Sequence, residues 1–193
     1  RAHRGEAPLI CRRWGESAQR SIELKQQQRA REAKGARNPE AEYKESLYRL
    51  TGGHYGFPAI AFKKAIVSAG TFVETVTKVQ LRGALHVEGE FVRIEGKPSM
   101  RTDRVVIGMG TADVRYRAQF PQWSTELRMS YNGSILSAEQ VAHLITLAGF
   151  SVGVGDWRPE RNGPYGRFRI PTPAEIAEWC AARKKTGARG RAA

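Results

Sequence analysis

Gly153-Val154-Gly155-Asp156-Trp157-Arg158-Pro159-Glu160-Arg161-Asn162-Gly163-Pro164-Tyr165-Gly166-Arg167-Phe168 places four glycines, two prolines, three arginines and three aromatics within sixteen residues. Glycine accepts positive φ and lets a backbone come close to whatever it touches. Arginine offers a planar fork that matches phosphate, and aromatic faces accept stacked bases. This mixture predicts a loop that grips a nucleic-acid backbone; a long surface turn is the plainer alternative. Its flanks decide the fold. Before it, Ser137-Ala-Glu-Gln140 is a capping box, and Val141, Leu144, Ile145 and Ala148 follow at helical spacing, with Gly149 as the stop. After it, residues 167–170 read as a strand. Thr172-Pro173-Ala174-Glu175 then opens a last helix with Ile176, Trp179 and Cys180 on its apolar face.

Working back from there, residues 125–131 alternate, with Leu127, Met129 and Tyr131 toward a core, and Asn132-Gly133 turns the chain. Residues 113–117 also alternate, with Val114 and Tyr116 on one face and Arg115 and Arg117 on the other. Residues 97–112, with Arg101, Arg104 and Gly108-Met109-Gly110, read as a mobile loop. Residues 79–87 and 91–94 suggest a hairpin around Glu88-Gly89-Glu90, with His86 a structural member of it. Residues 58–69 read as a helix stopped by Gly70, its Phe62, Ile66 and Ala69 buried. Lys63 and Lys64 lie near its positive end, where anions bind. Thr51 to Gly56 is a loop leading into it. Asn38-Pro39 caps a helix that carries Tyr43, Leu47 and Leu50 along one face.

Residues 7–14 look like a strand end, with Leu9 and Cys11 facing a core and Arg12 and Arg13 at its polar edge. Ser17 is a candidate cap for a polar, basic helix running to about Lys34. Lys25, Arg29, Arg31, Lys34 and Arg37 make it a candidate phosphate-contacting arm, or simply a solvated face. Helices combined with antiparallel strands make the chain α+β. A single domain is expected over 1–185, with 17–50 as a basic helical insertion and 186–193 as a disordered basic tail.

The whole chain has 193 residues, 40% of them apolar, and a formal net charge of +13. That excess points to polyanions, nucleic acid ahead of membrane. Cys11 and Cys180 lie at opposite ends and are expected to be reduced and buried, although their spacing leaves a disulfide open. No apolar run is long enough to span a membrane and no signal-peptide core is present, so a cytoplasmic location is expected. The first residue is Arg1 rather than Met, which leaves open that residues precede it. No Walker loop, zinc-ligand spacing, dinucleotide fingerprint or nucleophile elbow occurs. No metal, cofactor or catalytic residue is therefore assigned.

Three stretches resemble the RAMP superfamily of CRISPR-associated proteins, which includes guide-RNA-binding backbone subunits. Pro58-Ala59-Ile60-Ala61-Phe62-Lys63-Lys64-Ala65-Ile66 is similar to a family segment of the form Pro-Gly-Ser-Ser-Leu-Lys-Gly-Ala-Leu. It departs at the glycine and serine slots. Gly153, Gly155, Gly163, Tyr165, Gly166, Arg167 and Phe168 look like a stretched version of the family's glycine-rich loop, and Ala7-Pro8-Leu9 resembles its Thr-Pro-Leu.

The resemblance implies a ferredoxin-like (RRM-like) βαββαβ core. It also implies a non-catalytic subunit that repeats in copies along a guide RNA, with target nucleic acid and other effector subunits as partners. Arg12, Arg13, Lys63, Lys64, Arg158, Arg161 and Arg167 would hold phosphates, and Trp157 or Tyr165 would stack on a base. Two alternatives stay open. One is a metal-independent guide-processing endoribonuclease with His54 as base. The other is a single-stranded-DNA-binding or annealing protein of a phage or mobile element.

Overall fold

Phe57, Phe62, Trp123 and Phe168 come from four distant parts of the chain and meet at the centre of the molecule. Phe62 lies 6.1 Å from Phe57, 6.4 Å from Trp123 and 5.6 Å from Phe168, between ring centroids. Such tilted and edge-on contacts suit aromatic quadrupoles. Around this cluster the computed structural model, which describes residues 2–28, 37–107, 110–178 and 180–181, is a mixed α+β fold of antiparallel sheets with packed helices.

The elements run β1 (Ala2–Gly5), β2 (Leu9–Cys11), α1 (Glu16–Gln26), α2 (Pro39–Ser46), β3 (Tyr48–Arg49), β4 (Tyr55–Pro58) and α3 (Ala59–Ala69). Next come α4 (Lys78–Ala84), β5 (Leu85–Val87), β6 (Phe91–Glu95), β7 (Ser99–Ile107) and β8 (Thr111–Phe120). The chain continues as β9 (Ser124–Glu126), β10 (Met129–Tyr131), α5 (Ala138–Leu147) and β11 (Phe168–Arg169). The main sheet has the order β11-β1-β9-β6-β4-β3; β2-β8-β7 form a second sheet and β10-β5 a third. His3, Thr125 and Ile94 stand side by side across the main sheet and are buried, so this face meets α3 and α5.

The Ser137 capping box and the buried Val141, Leu144, Ile145 and Ala148 are present as read. So is the Asn38 cap, whose Oδ1 accepts the Ala41 N–H at 3.1 Å. Other expectations change. The 79–94 hairpin does not form, because Thr77 and Gln80 make a capping box and residues 78–84 are helical. Its two would-be strands separate, β5 pairing with β10 and β6 with β4 and β9. Residues 99–107 and 111–120 are the long strands of a hairpin rather than a loop; Gly108 and Met109 fall outside the described residues. Val114 is 39% exposed while Arg117 is buried, which reverses the faces expected for residues 113–117.

Smaller corrections have local causes. Gly15, not Ser17, precedes the first helical residue of α1. The Thr51–Gly56 loop ends early, since Tyr55 and Gly56 already pair within β4. Leu50 lies beyond the end of α2. The 125–131 strand breaks at Leu127 into β9 and β10 and leaves Tyr131 exposed. The chain after α5 runs through a wide turn, Ala148–Val152, and stops at Gly153 with φ 70° rather than at Gly149. Cys180 is exposed, so it does not belong to a buried face; Trp179, like Arg29, Arg31, Lys34 and the 186–193 tail, falls outside the described residues. Among the described residues no helix is long and apolar enough to cross a membrane.

Two measurements check this arrangement. Both cysteines are free, and burial raises the Cys11 thiol to about 12. Since the thiolate is the reactive form, a thiol reagent at neutral pH is expected to label Cys180 at once and Cys11 only after unfolding. Glu175 is held far below the ordinary carboxylate range by Arg169, by the Thr172 N–H and by Arg4. A depressed folded value stabilises the protein above the unfolded value of about 4.3 and loses that stabilisation as pH falls. The Tm gap between wild type and Glu175→Gln is thus expected to narrow as pH drops from about 5 to about 2.

Candidate nucleic-acid interface

The glycine loop does not stand open; it is folded onto its own chain. Gly166 has φ 68°, and a Cβ there would lie against the Val154 carbonyl oxygen. That approach lets Val154 N–H bond Gly166 O at 2.9 Å and Gly166 N–H bond Pro8 O at 2.8 Å. Gly155, φ 84°, sits close over β2, where a Cβ would meet Ile10 O at 2.6 Å, and the next residue donates to Ile10 O at 3.1 Å. The close approach read from these glycines is therefore made to the protein's own backbone.

Ion pairs fasten the loop sideways to the β7–β8 hairpin. Arg101 and Arg117 are cross-strand partners. Arg117 Nη1 is 2.9 Å from Asp156 Oδ2 on the loop and 3.6 Å from Asp103 Oδ2 on β7. Arg101 Nε is 2.6 Å from Asp103 Oδ1, and its Nη1 donates to Tyr165 Oη at 2.9 Å while its Cζ lies 4.6 Å from the Tyr165 ring centroid. One partner on each side leaves no bare charge in this buried seam, as burial of ions demands.

The seam decides what each expected site residue can do. Tyr165 already carries a guanidinium on its ring. Arg158 makes two hydrogen bonds to Glu160 Oε2, at 2.6 and 3.0 Å, and donates to Gly155 O. Burial raises the Glu160 carboxyl, but hydrogen bonds from Arg158 and Ser68 outweigh it and leave the value lowered. Arg167 is half-buried, its carbonyl accepting Glu6 N–H at 2.9 Å. Trp157 is different: it is 42% exposed with φ 55°, a backbone region bulky residues rarely enter. Its ring stands 6.5 Å from that of Tyr165. Arg161, on the same loop, is exposed with no ion pair among the described residues.

Arg12 and Arg13 follow directly on the strand that the loop grips, and both are exposed. Arg13 has only a distant partner, Glu16 at 3.9 Å, and Arg12 has none among the described residues. Lys63 and Lys64 sit apart from these. The loop reaches α3 at Ser68, about 7.5 Å of helix rise from Lys63. Lys63 Nζ instead lies 3.4 Å from His86 Nδ1, and Lys64 is exposed. Arg37, expected in a phosphate-contacting arm, is engaged by Glu42 at 2.8 Å and by Asp113. His54 is exposed on the turn before β4, its carbonyl accepting Leu50 N–H.

Sequence reading missed Arg101, Asp103 and Asp156 as determinants of the loop. The open face of the main sheet also carries paired charges, Arg4 and Arg169 with Glu175 and Arg93 with Glu95. Tyr48 and Phe91 lie at one end of this sheet, packed on each other, with Tyr48 also against the buried Phe57. Two exposed cations without an ion pair among the described residues, Arg161 and Arg12, and the most accessible loop aromatic are thus carried by the loop and by the end of the strand it bonds to. Among the described residues no group of three His, Cys, Asp or Glu side chains could hold a metal ion. No family model matches the chain, and no curated protein is similar enough in sequence to count as a relative.

Removing Arg117 leaves Asp103 and Asp156 facing each other's charge in the seam. Arg117→Met is expected to cost about 3 kcal/mol of stability in urea unfolding. Arg158→Ala, which breaks a partly solvated pair, is expected to cost less than about 1 kcal/mol.

Proposed function

We propose that the chain binds single-stranded RNA without acting on it chemically, as a cytoplasmic subunit that lines up in copies along a guide RNA. The observation that carries this reading is Trp157. A loop tied to β2 and to the hairpin presents this large ring in a strained backbone conformation. Strain of this kind persists where the surroundings enforce it, and it concentrates at ligand sites. An exposed indole on a loop that also carries the exposed Arg161, and that bonds to the strand leading into Arg12, has the composition of a stacking platform with phosphate contacts.

The core supports the same reading. β1, α3, β6, β9, α5 and β11 follow one another as βαββαβ, and their strands lie in the order 4-1-3-2. This is the arrangement of ferredoxin-like domains, the fold that the RAMP resemblance implies. β2, the β7–β8 hairpin, α1 and α2 are then additions beside that core. The paired charges on its open sheet face favour binding at the loop edge over stacking on the sheet.

Fluorescence anisotropy with a labelled 20-nucleotide RNA tests this. Affinity is expected to fall steeply with salt, by about 0.7 log units per log unit for each phosphate contacted. Trp157→Ala is expected to weaken binding roughly tenfold, from about 1–3 kcal/mol of stacking per base. Arg12→Ala with Arg161→Ala is expected to flatten the salt slope by about 1.4. Binding that ignores both salt and these substitutions would overturn the assignment. A matched DNA oligomer that competes equally would remove the RNA preference.

A further inference from the structure

Helix α3 has an apolar groove at its first turn and an exposed aromatic just past its last. The groove, of about 310 Å³, is lined by Tyr48, Pro58, Ile60, Val87 and Phe91, with Lys63 and Glu90 as its charged members. Ile60 is 53% exposed and Phe91 37%. An apolar cavity of about 150 Å³ already holds benzene, so a groove of this size and lining takes an aromatic ring. Lys63 has a neighbour of its own, its Nζ lying 3.4 Å from His86 Nδ1. Glu90 and Glu88 are exposed on the turn between β5 and β6. Neither has an ion pair among the described residues, although the chain holds 32 lysines and arginines against 19 acids.

At the far end of α3 a single turn, Gly70–Phe72, leaves Phe72 58% exposed. From Ile60 to Phe72 the chain rises roughly 20 Å along the helix. The turn packs on the start of α4, where a Cβ on Gly70 would come within 3.9 Å of Lys78 Cγ. Lys78 and Val79 are exposed there, and Lys78 and Arg82 have no ion pair among the described residues. Glu74 is the one acid in residues 70–84, against those two cations. An apolar groove with unpaired carboxylates and an exposed ring with unpaired cations thus occupy opposite ends of one helix. Complementary patches at different places on one surface meet head to tail, and the contact repeats from copy to copy. Resting on the reading of copies along an RNA, we infer that Phe72 of one copy seats in the Ile60–Phe91 groove of the next, with Lys78 toward that copy's Glu90. A contact this small falls short of a stable interface. Copies held on one strand meet at a raised effective concentration, so the contact acts as cooperativity on RNA.

The probes are two labelled RNAs, one of about 10 nucleotides for a single copy and one of about 40 for several, with copies counted by native mass spectrometry and affinity read by anisotropy. Wild type is expected to be monomeric without RNA and to bind the long RNA about tenfold better beside a bound copy than alone. Phe72→Asp and Ile60→Asp are each expected to abolish that preference while the short RNA binds as to wild type. Both side chains are exposed, so unfolding midpoints are expected to stay at the wild-type value, which separates a lost contact from a lost fold. An equal mixture of the two variants is expected to regain the preference for pairs, since one keeps its groove and the other its ring. Lys78→Glu is expected to weaken the preference, and Glu90→Lys added to the same chain to restore it. A preference that survives both single substitutions, or a mixture that never regains it, would overturn the head-to-tail contact and leave RNA binding standing. Wild type without any such preference would give the groove a different occupant and overturn it too. Binding of neither RNA would overturn both readings.

Discussion

Arg117 lies between two carboxylates that the chain brings from far apart, Asp103 across the hairpin and Asp156 on the loop. Its side chain is 9% exposed, so its charge has to be met inside the protein. An unpaired guanidinium there would cost several kcal/mol; with both partners in place the hairpin and the loop are fixed to each other. The Arg101 contacts to Asp103 and Tyr165 extend the same seam by one more layer. The loop's shape therefore depends on charges outside it as much as on its own glycines.

This constraint separates the loop's cations into two kinds. Arg158 works inside the structure, bound to Glu160, and Arg167 is half-buried with its backbone tied to β1's end. Arg161, Arg12 and Trp157 are left on the outside. A long-range consequence follows for the sheet. Because Glu175 pairs with both Arg4 and Arg169, the charges of these two arginines near β1 and β11 are met by a carboxylate.

The α5 capping box, its buried stripe and the Asn38 cap were legible because each depends on residues three or four positions apart. The helix at 78–84 carried the same signal, Thr77 and Gln80, but apolar residues on both sides imitated a strand. The β7–β8 hairpin was hidden for a different reason. Its buried face carries Arg101, Asp103 and Arg117, and buried charges invert the polarity pattern by which strands are recognised. Trp157 and Arg12 were among the residues singled out from sequence, whereas the seam that positions the loop was not.

Sequence alone determined the basic character, the α+β class and the presence of a glycine, arginine and aromatic loop between a helix and a strand. Those features rest on composition and on spacings of a few residues. Tertiary structure alone decided what the glycines approach, which arginines are consumed by carboxylates and which aromatic is left exposed. These depend on pairs such as Arg117 with Asp156, and Gly155 with Ile10. Such partners are joined by folding across long separations, and no local pattern of residues encodes which will meet.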